Sequence, residues 1–246
     1  MRDGKITILC LLLLVFGGIN ERLCAAKEGG KEGKEESMSV EVQWLGHASF
    51  KITSGDAAVY IDPWKLEEAK KDGTVVLVSH SHYDHYSAKD IAKVSGAETK
   101  LTGSADVIKQ EGKGQAVKAG ETIEAGDVNV TGVAAYNPAK QFHPKSNGWL
   151  GFVVEVGGKR IYYSGDTDVI EEMKELGEID AALLAVGGKY TMDSKEAAEA
   201  AGYIKPKVAI PYHWGDIVGG RSDAERFAEA AKCEVTILKK GESLEL

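Results

Sequence analysis

Cysteine is scarce in this chain. Of the three cysteines in 246 residues, Cys10 and Cys24 lie within the first 26 residues, which leaves Cys233 alone in the rest of the sequence. A single cysteine cannot form an intramolecular disulfide, and it cannot supply the clustered thiolates of a structural zinc site. A metal site in this chain must therefore be built from histidine and carboxylate side chains.

The sequence also lacks an excess of basic residues. Its 30 lysines and arginines are scattered among 38 aspartates and glutamates, and the formal net charge is −8. Proteins that bind nucleic acids usually present a clustered basic surface. The composition therefore argues against a nucleic-acid partner, and a small molecule is the expected substrate or ligand.

Long apolar runs are missing as well. The apolar stretch Ile8–Phe16 is shorter than the roughly 20 residues that a membrane-spanning helix needs, and it follows Arg2 and Lys5 and precedes small residues. This order predicts a secretory signal peptide over residues 1–26. Its removal implies export to the periplasm or the extracellular space without stable membrane insertion. An uncleaved anchor is one alternative; a start at Met38, with a cytoplasmic protein, is another.

A charged segment follows the predicted signal. Residues 27–37 consist entirely of charged residues, glycine and serine. Such a composition cannot bury apolar surface, and we predict a flexible charged linker over residues 27–39. The pattern changes at Val40, and residues 40–246 are long enough to bury a sizeable core as one domain.

From Val40 onward, strand and helix patterns alternate. Strands are predicted over Val40–Trp44, Ser49–Thr53, Ala57–Ile61, Thr74–Ser79, Asp127–Ala134, Gly151–Val156, Arg160–Ser164, Ala181–Val186, Val208–Ile210 and Val235–Leu238. Gly157-Gly158 predicts a hairpin turn. Helices are predicted to begin after Ser87, Ser104, Asp193 and Ser222, and the last two have the spacing of a capping box. The alternation predicts an α/β layered domain.

Three of the six histidines fall in one short segment, Ser79–His85, which follows the predicted strand Thr74–Ser79. His80 and His82 stand two residues apart in an extended chain, so both imidazoles can reach one metal ion. The chain then turns, and Asp84 and His85 can face a second ion. Because α/β sheets place their sites at the carboxyl ends of strands, this segment predicts a metal centre.

The segment His80-Ser81-His82-Tyr83-Asp84-His85 resembles the His-x-His-x-Asp-His motif of the metallo-β-lactamase superfamily. Further matches follow in the family's order. Asp62 resembles the family's first aspartate. Gly165-Asp166-Thr167 resembles the family's turn whose aspartate bridges two metals, and His213 resembles the family's last metal-binding histidine. The resemblance covers the chain from about Val40 to its end, and it implies an α/β fold of the αββα sandwich type.

Two further segments narrow the resemblance. Trp44–Phe50 and Val186–Met192 are similar to segments of the superfamily's metal-dependent hydrolase branch, which is similar to L-ascorbate-6-phosphate lactonase. The chain does not resemble the antibiotic-cleaving β-lactamases or the nucleic-acid-processing branch. The resemblance implies a metal-dependent hydrolase that uses a metal-bound hydroxide to cleave a small ester, lactone, amide or phosphoester.

The resemblance also implies two divalent metal ions, with zinc favoured and manganese, iron or nickel as alternatives. The implied metal ligands are His80, His82, Asp84, His85, His143, Asp166 and His213. Asp166 is expected to bridge the ions. Asp84 is expected to bind the second ion and to relay a proton as the catalytic residue, and Asp62 to orient a ligand imidazole.

One position departs from the family pattern. Where the family usually has a third histidine for the first ion, this chain has Asn137, and His143 follows six residues later. Either His143 or His47 can supply the missing imidazole, and we favour His143. A protein that binds a metal or ligand without catalysis is therefore an alternative function. A redox protein that holds two irons on the same fold is a further rival, but such relatives carry extra carboxylate ligands and a flavin-binding domain that this sequence does not show.

Other side chains beside these loops are given no ligand role. Lys189, Tyr190 and Arg221 can contact an anionic or acyl substrate. Trp149 and Trp214 are predicted to pack in the core, as large aromatic residues usually do.

Overall fold

The computed structural model describes residues 38–246. The predicted signal peptide, and the predicted linker as far as residue 37, lie outside the described residues. The first strand begins at Val40. Among the helices of residues 38–246, none is both long and apolar enough to cross a lipid bilayer.

Two seven-stranded sheets form the body of the domain. The strands of the first sheet are β1 (Val40–Gly46), β2 (Ser49–Ser54), β3 (Ala57–Ile61), β4 (Gly73–Val78), β5 (Ser95–Gly103), β6 (Gln115–Ala116) and β14 (Ser243–Glu245). Their spatial order is β14-β1-β2-β3-β4-β5-β6. Neighbours are antiparallel from β14 to β3 and parallel from β3 to β6.

The second sheet has the same mixed character. Its strands are β7 (Thr122–Ala125), β8 (Val128–Ala134), β9 (Leu150–Val156), β10 (Lys159–Tyr163), β11 (Ala181–Ala185), β12 (Val208–Tyr212) and β13 (Glu234–Val235). Their order is β13-β12-β11-β10-β9-β8-β7. Neighbours are antiparallel from β7 to β10 and parallel from β10 to β13.

The core lies between the two sheets. Phe50 of the first sheet packs its ring against Tyr163 and Tyr212 of the second, with centroids 6.2 and 5.5 Å away. These three side chains are completely buried. Because successive side chains of a strand point to opposite faces, the same strands also bury residues on their outer faces, under helices.

Four helices cover the outer faces of the sheets. The helices are α1 (Ala88–Val94), α2 (Ala105–Glu111), α3 (Ser194–Ile204) and α4 (Arg221–Ala230). Helix α1 packs on β4 and β5, α2 on β5 and β6, α3 on β11 and α4 on β12. The order of layers is therefore helix, sheet, sheet, helix, and the predicted αββα sandwich is confirmed.

Local capping explains where the helices begin. The helices α1 and α2 have the predicted serines at their N-caps, and Asp193 forms the predicted capping box with Glu196. The predicted start at Ser222 is wrong, because α4 begins one residue before it. There the Asp223 carboxylate accepts a hydrogen bond of 2.8 Å from the backbone N–H of Gly220, which takes the N-cap position.

The sequence patterns miss β5, β6, β7 and β14. These strands lie at or next to sheet edges, and several of their side chains are exposed. Strand formation at such positions depends on the neighbouring strand more than on local sequence. For the same reason the strand predicted over Val235–Leu238 is too long, since only Glu234–Val235 pairs with β12.

Candidate metal centre

The predicted site residues follow strands that run in one direction within each sheet. In the first sheet, β1, β3 and β4 lead respectively to His47, Asp62 and the segment Ser79–His85. In the second sheet, β8, β10 and β12 lead respectively to Asn137 and His143, Asp166, and His213. The distances given below show that both sets of strand ends meet at one edge of the sandwich.

Three of these residues have left-handed backbone conformations. The φ angles of His47, Asp62 and His213 are 47°, 44° and 63°. A non-glycine residue in an unfavourable backbone region costs about 1–3 kcal/mol, and such residues cluster at functional sites. The chain turns sharply after β1, β3 and β12, and each turn directs a buried side chain into the cluster.

A first donor group contains three imidazoles. The ligand-type nitrogens of His80, His82 and His143 lie within 4.8 Å of one another. His80 Nε2 and His82 Nδ1 are 3.1 Å apart. The extended Ser79–His82 segment brings the first two together, as the spacing predicts, and His143 completes the group although it is remote in sequence.

Asn137 holds His143 in this position. Its side-chain oxygen accepts hydrogen bonds from the backbone N–H of His143, at 3.0 Å, and from His143 Nδ1, at 2.8 Å. The Asn137 side-chain amide also donates to the carbonyl of Tyr190. The loop between Asn137 and His143 is thereby closed, and the imidazole presents Nε2 to the cluster. Asn137 thus positions an imidazole where the family usually has one.

A second donor group surrounds Asp84. The ligand-type atoms of His47, Asp84, His85 and His213 lie within 4.8 Å of one another. His47 Nε2 is 3.1 Å from Asp84 Oδ2, and His213 Nε2 is 3.9 Å from it. The sequence offers His143 and His47 as alternatives for one position. The structure places His143 in the first group and His47 in the second.

Asp166 lies between the two groups. Its Oδ2 is 3.3 Å from His143 Nε2 and 4.0 Å from His80 Nε2. Its Oδ1 is 3.3 Å from both His85 Nε2 and His213 Nε2. One carboxylate therefore turns an oxygen toward each group, which is the geometry that a bridging ligand requires.

Gly165 allows this placement of Asp166. Its φ is 63°, and a Cβ at this position would lie 2.4 Å from the carbonyl oxygen of Leu150. Any larger residue would push the turn away from β9. The glycine of the Gly-Asp-Thr motif therefore has a steric role, which is to let the Asp166 turn pack closely against the neighbouring strand.

A buried network around Asp62 supports the second group. Asp62 Oδ2 accepts hydrogen bonds from His85 Nδ1, Ser79 Oγ and the Tyr163 hydroxyl at 2.7, 2.6 and 2.6 Å. Its Oδ1 accepts a fourth from the backbone N–H of Ser79, at 2.7 Å. The contact at His85 Nδ1 orients the ring so that His85 Nε2 faces Asp166. Sequence patterns gave no role to Ser79 or Tyr163.

Several of the imidazoles are held neutral. Burial lowers the pKa of His80 well below its ordinary value, and the neighbouring His85 lowers it further. Burial is also the main cause that lowers the pKa of His82 and of His47. Neutral imidazole is the form that binds a metal ion.

The carboxylates are held ionised. Burial raises the pKa of Asp166, but the imidazoles of His213 and His85 outweigh it and keep this pKa well below the usual range. Burial likewise opposes ionisation of Asp84, and the hydrogen bond from His47 together with the imidazoles of His85 and His213 outweighs it, so the pKa of Asp84 is also lowered. Burial lowers the pKa of His85, yet Asp166 and Asp62 together outweigh burial, so the net shift is upward. The cluster therefore attracts positive charge.

The residues present fit a metal centre. Buried polar atoms that make no hydrogen bond include His85 Nε2, His143 Nε2, His213 Nε2 and Asp166 Oδ1. Roughly nine in ten buried polar groups in proteins have a hydrogen-bond partner, so four such atoms converging on one place require an explanation. Imidazole and carboxylate donors together suit divalent zinc, manganese, iron or nickel.

Trp149 belongs to this site and not to the core, contrary to the sequence-based prediction. It is only partly buried, and its ring centroid lies 4.8 and 4.7 Å from those of His80 and His82. Its Nε1 donates a hydrogen bond of 2.8 Å to Asp106. The indole therefore packs against the first donor group and restricts the rotation of its imidazoles. Trp214 is buried as predicted.

Comparison with known proteins identifies relatives that are described as metal-dependent hydrolases. A family model described as "Beta-lactamase superfamily domain" matches residues 41–213. A metal-dependent hydrolase of Pyrococcus abyssi is 38% identical over 232 residues, covering 84% of this chain and 100% of the relative. One of Anaeromyxobacter dehalogenans is 37% identical over 232 residues, covering 82% and 85%. A solved structure from Parabacteroides distasonis, described as a metal-dependent hydrolase, has a TM-score of 0.73 at 28% identity and covers 82% of this chain and 94% of its own.

Proposed function

The chain belongs to the metallo-β-lactamase superfamily, in its metal-dependent hydrolase branch, and from this we propose that it is a two-metal hydrolase of a small ester, lactone, amide or phosphoester. The observation that carries the proposal is the position of Asp166. One of its oxygens faces His143 and the other faces His85 and His213. A carboxylate that faces donors on both sides in this way is suited to bridge two ions.

We assign each donor group to one ion. The first ion would be held by His80, His82, His143 and Asp166. The second ion would be held by Asp84, His85, Asp166 and His213, with His47 either joining as a ligand or donating a hydrogen bond to Asp84. Zinc is the favoured metal, because its preference for imidazole together with carboxylate matches both groups.

The chemistry divides between the ions and the chain. Bound divalent ions act as Lewis acids and lower the pKa of a coordinated water. Asp84 and Asp166 line the cavity above the cluster, and the lowered pKa of Asp84 keeps its carboxylate ionised. Asp84 takes a proton from the attacking water and delivers it to the leaving group. Asp62 and Asn137 keep His85 and His143 in the orientation that this requires.

The non-catalytic alternative rested on Asn137. Since His143 lies beside His80 and His82 and is held there by Asn137 itself, the departure from the family pattern does not reduce the number of imidazoles. Catalysis is therefore the better supported reading of the site.

Metal removal tests the proposed function. Protein stripped with a strong chelator is expected to lose at least about tenfold of its activity toward a panel of esters, lactones, amides and phosphoesters, because each bond-breaking step needs the Lewis acid. Adding back two equivalents of zinc, but not of calcium, is expected to restore it. Activity that survives complete metal removal would contradict the proposal. So would a zinc-loaded protein that hydrolyses no substrate of the panel.

Substituting the two remote histidines separately tests the ligand assignment. His143→Ala is expected to lower the affinity for the first ion and to leave the second ion in place, because the second donor group does not include His143. His47→Ala is expected to leave binding of the first ion unchanged. It is expected to lower the affinity for the second ion by about 10- to 100-fold, which is the usual effect of losing a residue that supports a ligand. Metal content after dialysis, with a chromophoric chelator as competitor, gives both affinities.

Asn137→Ala provides the graded comparison for His143. It removes the hydrogen bonds that hold the imidazole but leaves the imidazole itself, so the first ion is expected to weaken less than in His143→Ala. If His47→Ala weakened the first ion more than His143→Ala did, the assignment of these two histidines would be reversed.

A further inference from the structure

The cavity above the candidate metal centre has two chemically different halves. Its volume is about 230 Å³. The inner half is formed by metal-site residues, namely His82, Asp84, His143 and Asp166. The outer half is formed by Tyr83, Phe142, Tyr190 and Ile217. A substrate whose reacting bond lies at the inner half must place the rest of its structure against three aromatic rings and an isoleucine.

Aromatic side chains are exposed at the mouth of this cavity. Phe142 and Tyr190 pack edge to face with their ring centroids 4.7 Å apart, yet Phe142 is still 43% exposed and Tyr83 is 69% exposed. The described residues include four large exposed hydrophobic side chains, and these two belong to the cavity. Exposed apolar side chains that adjoin one another commonly mark a binding surface.

The charge of the lining residues disfavours substrates that place an anionic group in the outer half of the cavity. Its charged side chains at neutral pH are the carboxylates of Asp84 and Asp166, and no lysine or arginine is among the lining residues. The nearby Lys140 is engaged by Asp168 at 2.5 Å, and Lys189 lies over the ring of Tyr190, outside the lining. An anionic group in the outer half would lose water without gaining a cationic partner among the lining residues, which is unfavourable.

The volume of the cavity determines how much of a substrate its walls can surround. A cavity of about 150 Å³ holds one benzene molecule, so the walls of this cavity can surround roughly one six-membered ring together with the atoms of the reacting bond. Transfer of such an apolar ring from water to the aromatic wall is favourable.

We infer that the cavity selects small uncharged carboxylic esters or lactones that carry an aromatic or compact aliphatic group beside the reacting carbonyl, and that Phe142 and Tyr190 determine this specificity. The inference rests on the proposed function. In the reaction, the oxygen of water bonds to the carbonyl carbon and the carbon–oxygen bond of the ester breaks. A proton of the water passes to the departing alkoxide, which gives a carboxylic acid and an alcohol.

Binding tests the inference without relying on turnover. N-benzylacetamide and its para-sulfonated analogue differ by one anionic group that coordinates metals poorly. With zinc-loaded full-length protein, isothermal titration is expected to show at least tenfold weaker binding of the sulfonate. Phe142→Ala is expected to lower the affinity for N-benzylacetamide by roughly tenfold, because the contact with the ring is lost. Phe142→Leu is expected to retain most of the affinity. Equal or tighter binding of the sulfonate would overturn the inference.

Tyr203→Ala is the matched control. Tyr203 is an aromatic residue of similar exposure, 38%, but it lies on α3, away from the cavity lining. Its removal is expected to leave both affinities unchanged. Lys189→Ala distinguishes the competing explanation: if it abolishes sulfonate binding, a cation recognises the substrate and the apolar assignment is wrong.

Hydrolysis separates this inference from the proposed function. The matched substrates are 4-nitrophenyl pentanoate and the analogue with a sulfonate on its last carbon. At least tenfold higher kcat/KM for the neutral ester, reduced in Phe142→Ala mainly through KM, supports the inference. Preference for the sulfonated ester overturns it and leaves the hydrolase intact. Hydrolysis of neither ester, with the binding preference retained, counts against the proposed function alone.

Discussion

Replacing Asp166 with asparagine is expected to abolish hydrolysis and to weaken both metal ions. The carboxylate turns one oxygen toward His143 and the other toward His85 and His213. Asparagine removes the negative charge and turns one of these oxygens into an amide group that cannot bind a cation. Removing one partner of a buried charge interaction costs about 3–5 kcal/mol. We therefore expect metal affinity to fall by roughly 100- to 5,000-fold, with activity falling at least as far.

Asp168→Asn is the control for this experiment. Asp168 is also a buried carboxylate of the same turn, but it pairs with Lys140 and not with the imidazoles. Metal content after dialysis against one fixed, limiting concentration of free zinc, and kcat at saturating zinc, are expected to fall in Asp166→Asn alone. Normal loading of two ions with normal turnover in Asp166→Asn would refute the bridging assignment.

Replacing Asp62 with asparagine is expected to destabilise the fold as well as the site. Asp62 has no exposed surface and accepts four hydrogen bonds, including those from Tyr163 and His85. An asparagine amide group would face some of these donors with a donor of its own. Breaking a buried charged interaction in this way costs about 3–5 kcal/mol, so the free energy of unfolding should fall by about that amount.

Urea denaturation of metal-free protein measures this effect without a contribution from ion binding. Tyr163→Phe is the graded comparison, since it removes one donor and leaves the carboxylate in place. A hydrogen bond to a charged group contributes about 1.5–3 kcal/mol, so this variant is expected to lose less stability than Asp62→Asn. If both variants unfolded at the urea concentration of the wild type, the network would not support the fold.

The main layers of the fold could be predicted because their signals are local. The strand β4 is almost continuously apolar, and a strand that is buried on both faces has this composition. Asp193 and Glu196 satisfy each other's backbone groups at the start of α3, and both lie within one turn. The edge strands β6 and β14 have no such signal, because they form only where a neighbouring strand offers free hydrogen-bonding groups.

Part of the site could be predicted for the same reason. His80, His82, Asp84 and His85 lie in one short segment, and their proximity in space follows from their proximity along the chain. The partners of these residues could not be derived in this way. Tyr163 reaches Asp62 across 101 positions of sequence, and nothing in the sequence around Tyr163 distinguishes it from an ordinary core tyrosine.

The sequence by itself determined that the chain carries an αββα sandwich with histidine and carboxylate residues after its strands, because hydrophobic periodicity and short motifs depend on neighbouring residues. Only the tertiary structure decided which donors share a group. It places His143 with His80 and His82, and His47 with Asp84. The physical reason is that each group is assembled from ends of strands in two different sheets, so its membership depends on how the sheets pack face to face and on the Asn137 contacts that fold the His143 loop inward.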